Sequence, residues 1–228
     1  MILLLHLIRH AESQNNVRPA YSRVEDPPLT AAGMLQARYL AERFTQLEFD
    51  RLICSPFLRA LQTARAIHDQ LGCPVDVWDN IFEVGGVFQG HGPEALEGGT
   101  GLTRREVQQQ AVSNPALCTA DCSVKDSGWW GRPRETRDEA WMRAAKVKKR
   151  LAEIARAEPD YVLVLVTHAA FTRNLLARLL DGTREKMRYA RLCNTGVTSL
   201  YFDDGIWQLK FVDDVSHLPV RLVTGFEV

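Results

Sequence analysis

The stretch Ile2-Leu3-Leu4-Leu5-His6-Leu7-Ile8-Arg9-His10 decides the fold. Residues 2–8 are apolar apart from His6, and they lack the polar alternation of a half-exposed strand. Such a run reads as a strand buried on both faces, as in parallel sheets covered by helices. It ends on two polar groups, Arg9 and His10. Residues 161–167 (YVLVLVT) repeat the signature with a β-branched bias and end on His168, and residues 51–55 (RLICS) give a shorter copy.

Helical patterns follow these runs. From Thr30 to Leu47 the expected apolar face is Leu35, Tyr39, Leu40, Phe44 and Leu47. Ser55-Pro56 predicts an N-cap with proline at the first helical position, and Leu58, Leu61, Ala64, Ile67 and Leu71 mark a face that Gly72 closes. Thr136-x-x-Glu139 is a capping-box pattern, opening a helix to about Ala157 with Trp141, Ala144, Val147, Leu151 and Ile154 inward. A further helix is expected from Phe171 to Leu180, ending at Gly182. Residues 197–202 and 207–212 flank Asp203-Asp204-Gly205 and predict an antiparallel hairpin at a sheet edge. Strands alternating with helices predict an α/β fold in three layers, a doubly wound, mainly parallel sheet. The segment 84–135 holds seven glycines between Gly85 and Gly101, with weak helical periodicity only near Arg104 to Val112. It is expected to be a cap inserted into a single domain spanning residues 1–228.

Composition narrows the function. Lys plus Arg and Asp plus Glu number 28 each, which argues against a nucleic-acid binder with its usual basic excess. The five cysteines (Cys54, Cys73, Cys118, Cys122, Cys193) are odd in number and irregular in spacing, so free thiols in a reducing cytoplasm are expected. Cys118 and Cys122 have no second ligand pair at zinc-site spacing. No apolar stretch approaches the ~20 residues that span a bilayer. The expectation is a cytoplasmic protein with no membrane partner, and the edge hairpin leaves a homodimer open.

Arg9, His10 and His168 stand at the C-terminal ends of predicted strands, where open α/β sheets bind ligands. Arg59 falls in the first turn of its helix. Helical side chains lean toward the N-terminus, which aims Arg59 at the same place. Glu83 opens the glycine-rich segment, and Asn16 follows His10 by six residues. These residue types fit phosphoryl transfer. A neutral imidazole can attack phosphorus, guanidinium forks match phosphate oxygens, and a partly desolvated carboxyl can protonate a leaving oxygen. Such chemistry rests on positioning and electrostatics and calls for no metal and no cofactor.

The runs IRHAESQNN (8–16), PLTAAGMLQA (28–37), SPFLRALQTA (55–64), IFEVGGVFQG (81–90) and THAAFTRNLL (167–176) resemble the histidine phosphatase superfamily in its phosphoglycerate-mutase-like branch. They occur in the family's order over most of the chain. The resemblance implies that His10 is phosphorylated by a small phosphorylated substrate, that Arg9, Arg59, His168 and Asn16 bind the phosphoryl group, and that Glu83 is the proton donor. Two departures stand out: the family commonly has glycine after each catalytic histidine, whereas this chain has Ala11 and Ala169. No Asp follows His168, which separates the chain from the acid-phosphatase branch.

Hydrolysis of phosphomonoesters is the leading expectation. A phosphoglycerate mutase is the nearest alternative. Mutases of this branch resemble one another in a Tyr-Gly-x-Leu-Gln-Gly run after the acid, which is only partly matched by Val84 to Gly90 here. A silent binding module of the same fold would be expected to have lost a nucleophile or an arginine. The other histidines have bland readings: His6 structural, His68 exposed, His91 a loop residue or substrate contact, His217 packed in the tail. Trp129, Trp130, Arg132 and Arg134, with Arg104 and Arg105, are either a solvated cap surface or a grip on the non-phosphate part of an anionic substrate.

Overall fold

A computed structural model describes residues 3–90, 95–158, 160–187 and 190–225. Among these, the strands are β1 (Leu3–Arg9), β2 (Arg51–Cys54), β3 (Val75–Val77), β4 (Cys118–Ala120), β5 (Val162–Thr167), β6 (Val197–Asp203) and β7 (Ile206–Asp214). They form one sheet in the order β4-β3-β2-β5-β1-β6-β7. The first five positions are parallel, and β6 and β7 add the antiparallel hairpin at the edge. The helices are α1 (Gln14–Val17), α2 (Ala31–Phe44), α3 (Leu58–Leu71), α4 (Arg104–Ala111), α5 (Arg137–Ala157), α6 (Ala169–Leu179) and α7 (Arg184–Met187).

The apolar runs behave as two-faced strands. Leu3, Leu5 and Leu7 of β1 pack with Leu163 and Leu165 of β5 against α5 and α6. On the other face, Ile8, Val164 and Val166 join Leu52 and Cys54 under α2 and α3. Each fully buried leucine contributes about 2 kcal/mol, so the central strands anchor both helical layers at once. Thr136 and Glu139 form the capping box that starts α5.

Several local expectations change. The buried face of α2 is Gly33, Gln36, Ala37, Leu40, Ala41 and Phe44, while Leu35 and Leu47 are exposed. Small residues prevail there because α2 lies close against the loop after β1: a methyl on Gly33 would overlap the Glu12 carbonyl. Ser55 does not cap α3. Its N–H still bonds Val166 across the sheet, so the chain stays extended through Phe57 and the helix opens at Leu58. His68 is buried, not exposed. Its Nδ1 pairs with the Cys73 carbonyl at 2.7 Å and its Nε2 with Ser113 Oγ at 3.2 Å, because α4 and the turn after it cover that side of α3. Within α5, Arg143 occupies the inward stripe beside Ala140, Ala144, Val147 and Leu151. Trp141 is only half-buried and stacks under Arg178.

The segment 84–135 contributes α4 and the edge strand β4 as well as loops. His91 lies outside the described residues.

Candidate active site

β1 and β5 are parallel neighbours with Arg9 in register with Thr167, so the residues that follow, His10 and His168, emerge side by side. The His10 N–H donates to the Thr167 carbonyl at 2.8 Å, and the two ring centroids are 5.0 Å apart. His10 Nδ1 lies 2.7 Å from the Ala11 carbonyl. A carbonyl can only accept, so Nδ1 carries the proton and Nε2 is left with its lone pair. That lone pair receives Arg59 Nε at 3.2 Å. Burial, followed by Arg59 and Arg9, pushes the His10 pKa well below its usual 6.5. The ring is therefore neutral at physiological pH, with its unprotonated nitrogen directed at a guanidinium.

Arg59 reaches back from the start of α3 as its position in the first turn predicts. Its guanidinium lies over the Phe57 ring, 4.1 Å from the centroid, and its Nη1 is 3.7 Å from an Asp26 carboxylate oxygen. Arg9 Nη1 donates to the carbonyls of Leu192 at 2.7 Å and Gly225 at 2.6 Å, while its buried Nε has no partner. Glu83 sits where β5 hands over to α6. Its Oε1 accepts from Val84 N at 2.8 Å and Phe171 N at 3.0 Å, and its Oε2 from Ala170 N at 3.3 Å. Asn16 closes the capping box of α1, its Oδ1 accepting from Ser13 N at 2.9 Å and Ser13 Oγ at 3.0 Å.

His168 differs from the rest in being fully buried behind His10. Its Nε2 is 2.8 Å from Ser55 Oγ, and its Nδ1 has no partner. Burial, then the nearby Arg59, lowers its pKa well below 6.5.

Arg9, His10, Asn16, Arg59 and Glu83 line one cavity of about 330 Å³. Its outer part is formed by Arg23, Glu25, Phe88 and Arg134. Of the cap residues singled out in the sequence, Arg134 alone is among the lining residues, its guanidinium 4.1 Å from the Phe88 ring centroid. Trp129 is buried against Phe57 and Phe82, and Arg132 lies over Trp130. Arg104 turns away to the carbonyls of Ala120 and Asp121. The aromatic pair is thus packed against Phe57 and Phe82.

The alanine after His10 fits this geometry. Ala11 clusters with Leu29 and Ala37 under α2, and its N–H donates to Thr63 Oγ1 at 3.0 Å. Sequence reasoning missed the supports. Asn194 Nδ2 donates to the His10 carbonyl at 3.0 Å, and Gln36 joins the Glu12 N–H to the Leu222 carbonyl. Arg143 pairs with Glu135 at 2.6 Å and donates to the carbonyls of Asn80 and Phe82, fixing the strand exit that leads to Glu83. A charge inside the apolar stripe of α5 was the signal for Arg143. Asn194 and Gln36 carried none.

Residues 5–215 match the sequence profile of the histidine phosphatase superfamily (branch 1). The chain belongs to this superfamily. This histidine phosphatase is 27% identical over 223 residues, 95% of each chain, to a protein of Enterobacter sp. (strain 638) named "Probable phosphoglycerate mutase GpmB". It is 26% identical over 204 residues, 89% of this chain and 87% of the relative, to the adenosylcobalamin/alpha-ribazole phosphatase of Escherichia coli K12. Among solved structures, the phosphoserine phosphatase of Entamoeba histolytica with phosphoserine bound superposes with a TM-score of 0.67 at 23% identity. That match covers 95% of this chain and all (100%) of the other, and it shows a shared fold. The histidine phosphatase has no helix among its described residues long and apolar enough to cross a membrane.

Proposed function

We propose that the protein hydrolyses small phosphomonoesters through a phosphohistidine on His10. The observation that carries this reading is the fixed tautomer of His10: Nδ1–H held by the Ala11 carbonyl, Nε2 unprotonated and facing the buried Arg59. In the first step Nε2 attacks phosphorus and the P–O bond to the leaving group breaks. Glu83 gives that oxygen its proton, acting through Oε2, which makes the longest of its three amide contacts. Arg9 and Arg59, which line the cavity, neutralise charge on the equatorial oxygens, while His168 packs behind the nucleophile with its ring centroid 5.0 Å from that of His10. In the second step water attacks phosphorus, Glu83 takes its proton, the P–N bond breaks with its electron pair returning to His10 Nε2, and phosphate leaves.

The rim supports a substrate with a second anionic group. Arg134, and with it Arg23, stands at the outer wall where the part beyond the phosphate would lie. A phosphorylated hydroxy or amino acid fits this arrangement, and Glu25 on the same wall offers a partner to an ammonium group. The likeness to a mutase-named relative over 95% of both chains keeps isomerisation as the second reading. The test is a panel of phosphoserine, phosphoglycerates, sugar phosphates, nucleotides and para-nitrophenyl phosphate, scored for free phosphate and for isomerised phosphoglycerate. Phosphate release and ³²P trapped on the protein, both lost in His10→Ala, is the expected result. Labelling that survives in that variant removes His10 from the mechanism.

A further inference from the structure

Asp26 has no part in the mechanism above, yet its carboxylate forms an ion pair with the Arg59 guanidinium. It lies on the segment between the short turn at 20–22 and α2, directly after the rim residues Arg23 and Glu25. Its side chain is 12% exposed. Both carboxylate oxygens accept the Leu58 N–H, at 3.0 and 3.1 Å, which supplies the cap that Ser55 does not give α3. The same carboxylate is 3.7 Å from Arg59 Nη1, while Arg59 Nε is on His10 at 3.2 Å. One guanidinium is thus suspended between a carboxylate and the nucleophile, with the Phe57 ring beneath it. The segment does not depend on Arg59 for its place. Leu29 N–H donates to Gln62 Oε1 at 2.9 Å, and the Pro28 carbonyl accepts from Gln14 N–H at 3.0 Å.

We infer that Asp26 is a positioning residue that anchors Arg59, holding its guanidinium beside the nucleophilic nitrogen so that, when Nε2 turns to phosphorus, its N–H groups pass to the phosphoryl oxygens. The inference rests on the phosphatase reading and adds to it a control of the arginine by charge. A displaced guanidinium loses the alignment on which transition-state stabilisation depends. Because the anchor also carries Arg23 and Glu25, it ties the rim to the floor at one point.

The charge on Asp26 is conditional. Burial raises its pKa to about 7, opposed by Arg59 and the Leu58 N–H from α3 and reinforced by Glu25 on its own segment. Glu83 also acts on Arg59 electrostatically. At pH 8 the pair is ionic. Near pH 5.5 Asp26 is protonated and sterically equivalent to asparagine, which still accepts from Leu58.

The decisive measurement is the ratio of kcat/KM for wild type over Asp26→Asn, with para-nitrophenyl phosphate, from pH 5 to 9. Titrations common to both proteins cancel in that ratio. We expect a ratio near 1 at pH 5.5 that rises to about tenfold at pH 8 with a midpoint near 7. A ratio that is constant with pH, at 1 or above it, overturns the proposal, since a packing role does not titrate. A second measurement is independent of activity and of how Asp26→Asn folds: the ¹³C-carboxyl titration of Asp26 in wild type and in Arg59→Gln whose fold is checked by circular dichroism. Removing the cation should move the midpoint up; an unchanged midpoint overturns the pairing. A wild type that releases no phosphate defeats the phosphatase reading, while the carboxyl titration still decides whether the two side chains are coupled.

Discussion

On the cavity floor, His10 and Arg59 are buried and bound at fixed nitrogens, and Arg9 is gripped by two carbonyls. At the rim, Arg23 and Glu25 are exposed, and Arg134 stacks on Phe88 within a glycine-rich loop. The floor is built from strand ends and one helix start, whose positions follow from the sheet. The rim comes from loops whose sequence is free of the core's constraints. Chemistry shared by a superfamily belongs on the first kind of surface, and discrimination between substrates on the second. The difference implies that floor substitutions should act on kcat for every substrate, and rim substitutions on KM for some.

The largest expected effect is His10→Ala, which should lower kcat by about 10⁴-fold on all substrates in steady-state assays. Residual turnover that depends on the substrate would blur the division. Arg59→Ala should cost about 10²–10³-fold in kcat, with little change in KM for an aryl phosphate. A KM effect alone would make Arg59 a rim-type residue in a floor position. Arg134→Ala should raise KM about tenfold for carboxylated phosphomonoesters and leave para-nitrophenyl phosphate within about twofold. Equal effects on both substrates would remove the selective role of the rim.

The smallest effect concerns the strand beneath the floor. Burial and nearby cations push the pKa of His6 on β1 down to about 4, and burial with Arg43 does the same to His217. The unfolded chain then binds more protons than the folded one between about pH 6.5 and 4. Their stabilisation is complete above 6.5 and declines as pH falls toward 4. Calorimetric Tm should drop by a few degrees over that window, and less in a His6→Gln variant; an equal drop in both would exclude His6 as a cause.

The legible part of this protein was the part set by short-range pattern. The apolar runs ending at Arg9 and at Thr167 placed both histidines, and the lean of helical side chains placed Arg59. The strand ends needed only their neighbours in sequence. Asp26, Asn194 and Gly225 could not be read this way. Asp26 meets Leu58 over 32 residues, and Gly225 meets Arg9 over 216, so their roles exist only once the sheet order is known. Arg104 and Arg132 stayed open between two readings for the opposite reason. A basic and aromatic cluster looks alike whether it faces a ligand or a neighbouring loop, and here the carbonyls at 120–121 and the Trp130 ring claim them.

The carbonyls of Leu192 and Gly225 on Arg9 have a bearing on biosynthesis. During synthesis Arg9 and His10 emerge together, but the two carbonyls that brace the arginine follow 183 and 216 residues later. Enzyme activity should therefore be absent from ribosome-bound intermediates that have not yet extruded Gly225, so that a product truncated before it would be inert toward phosphorylated substrates.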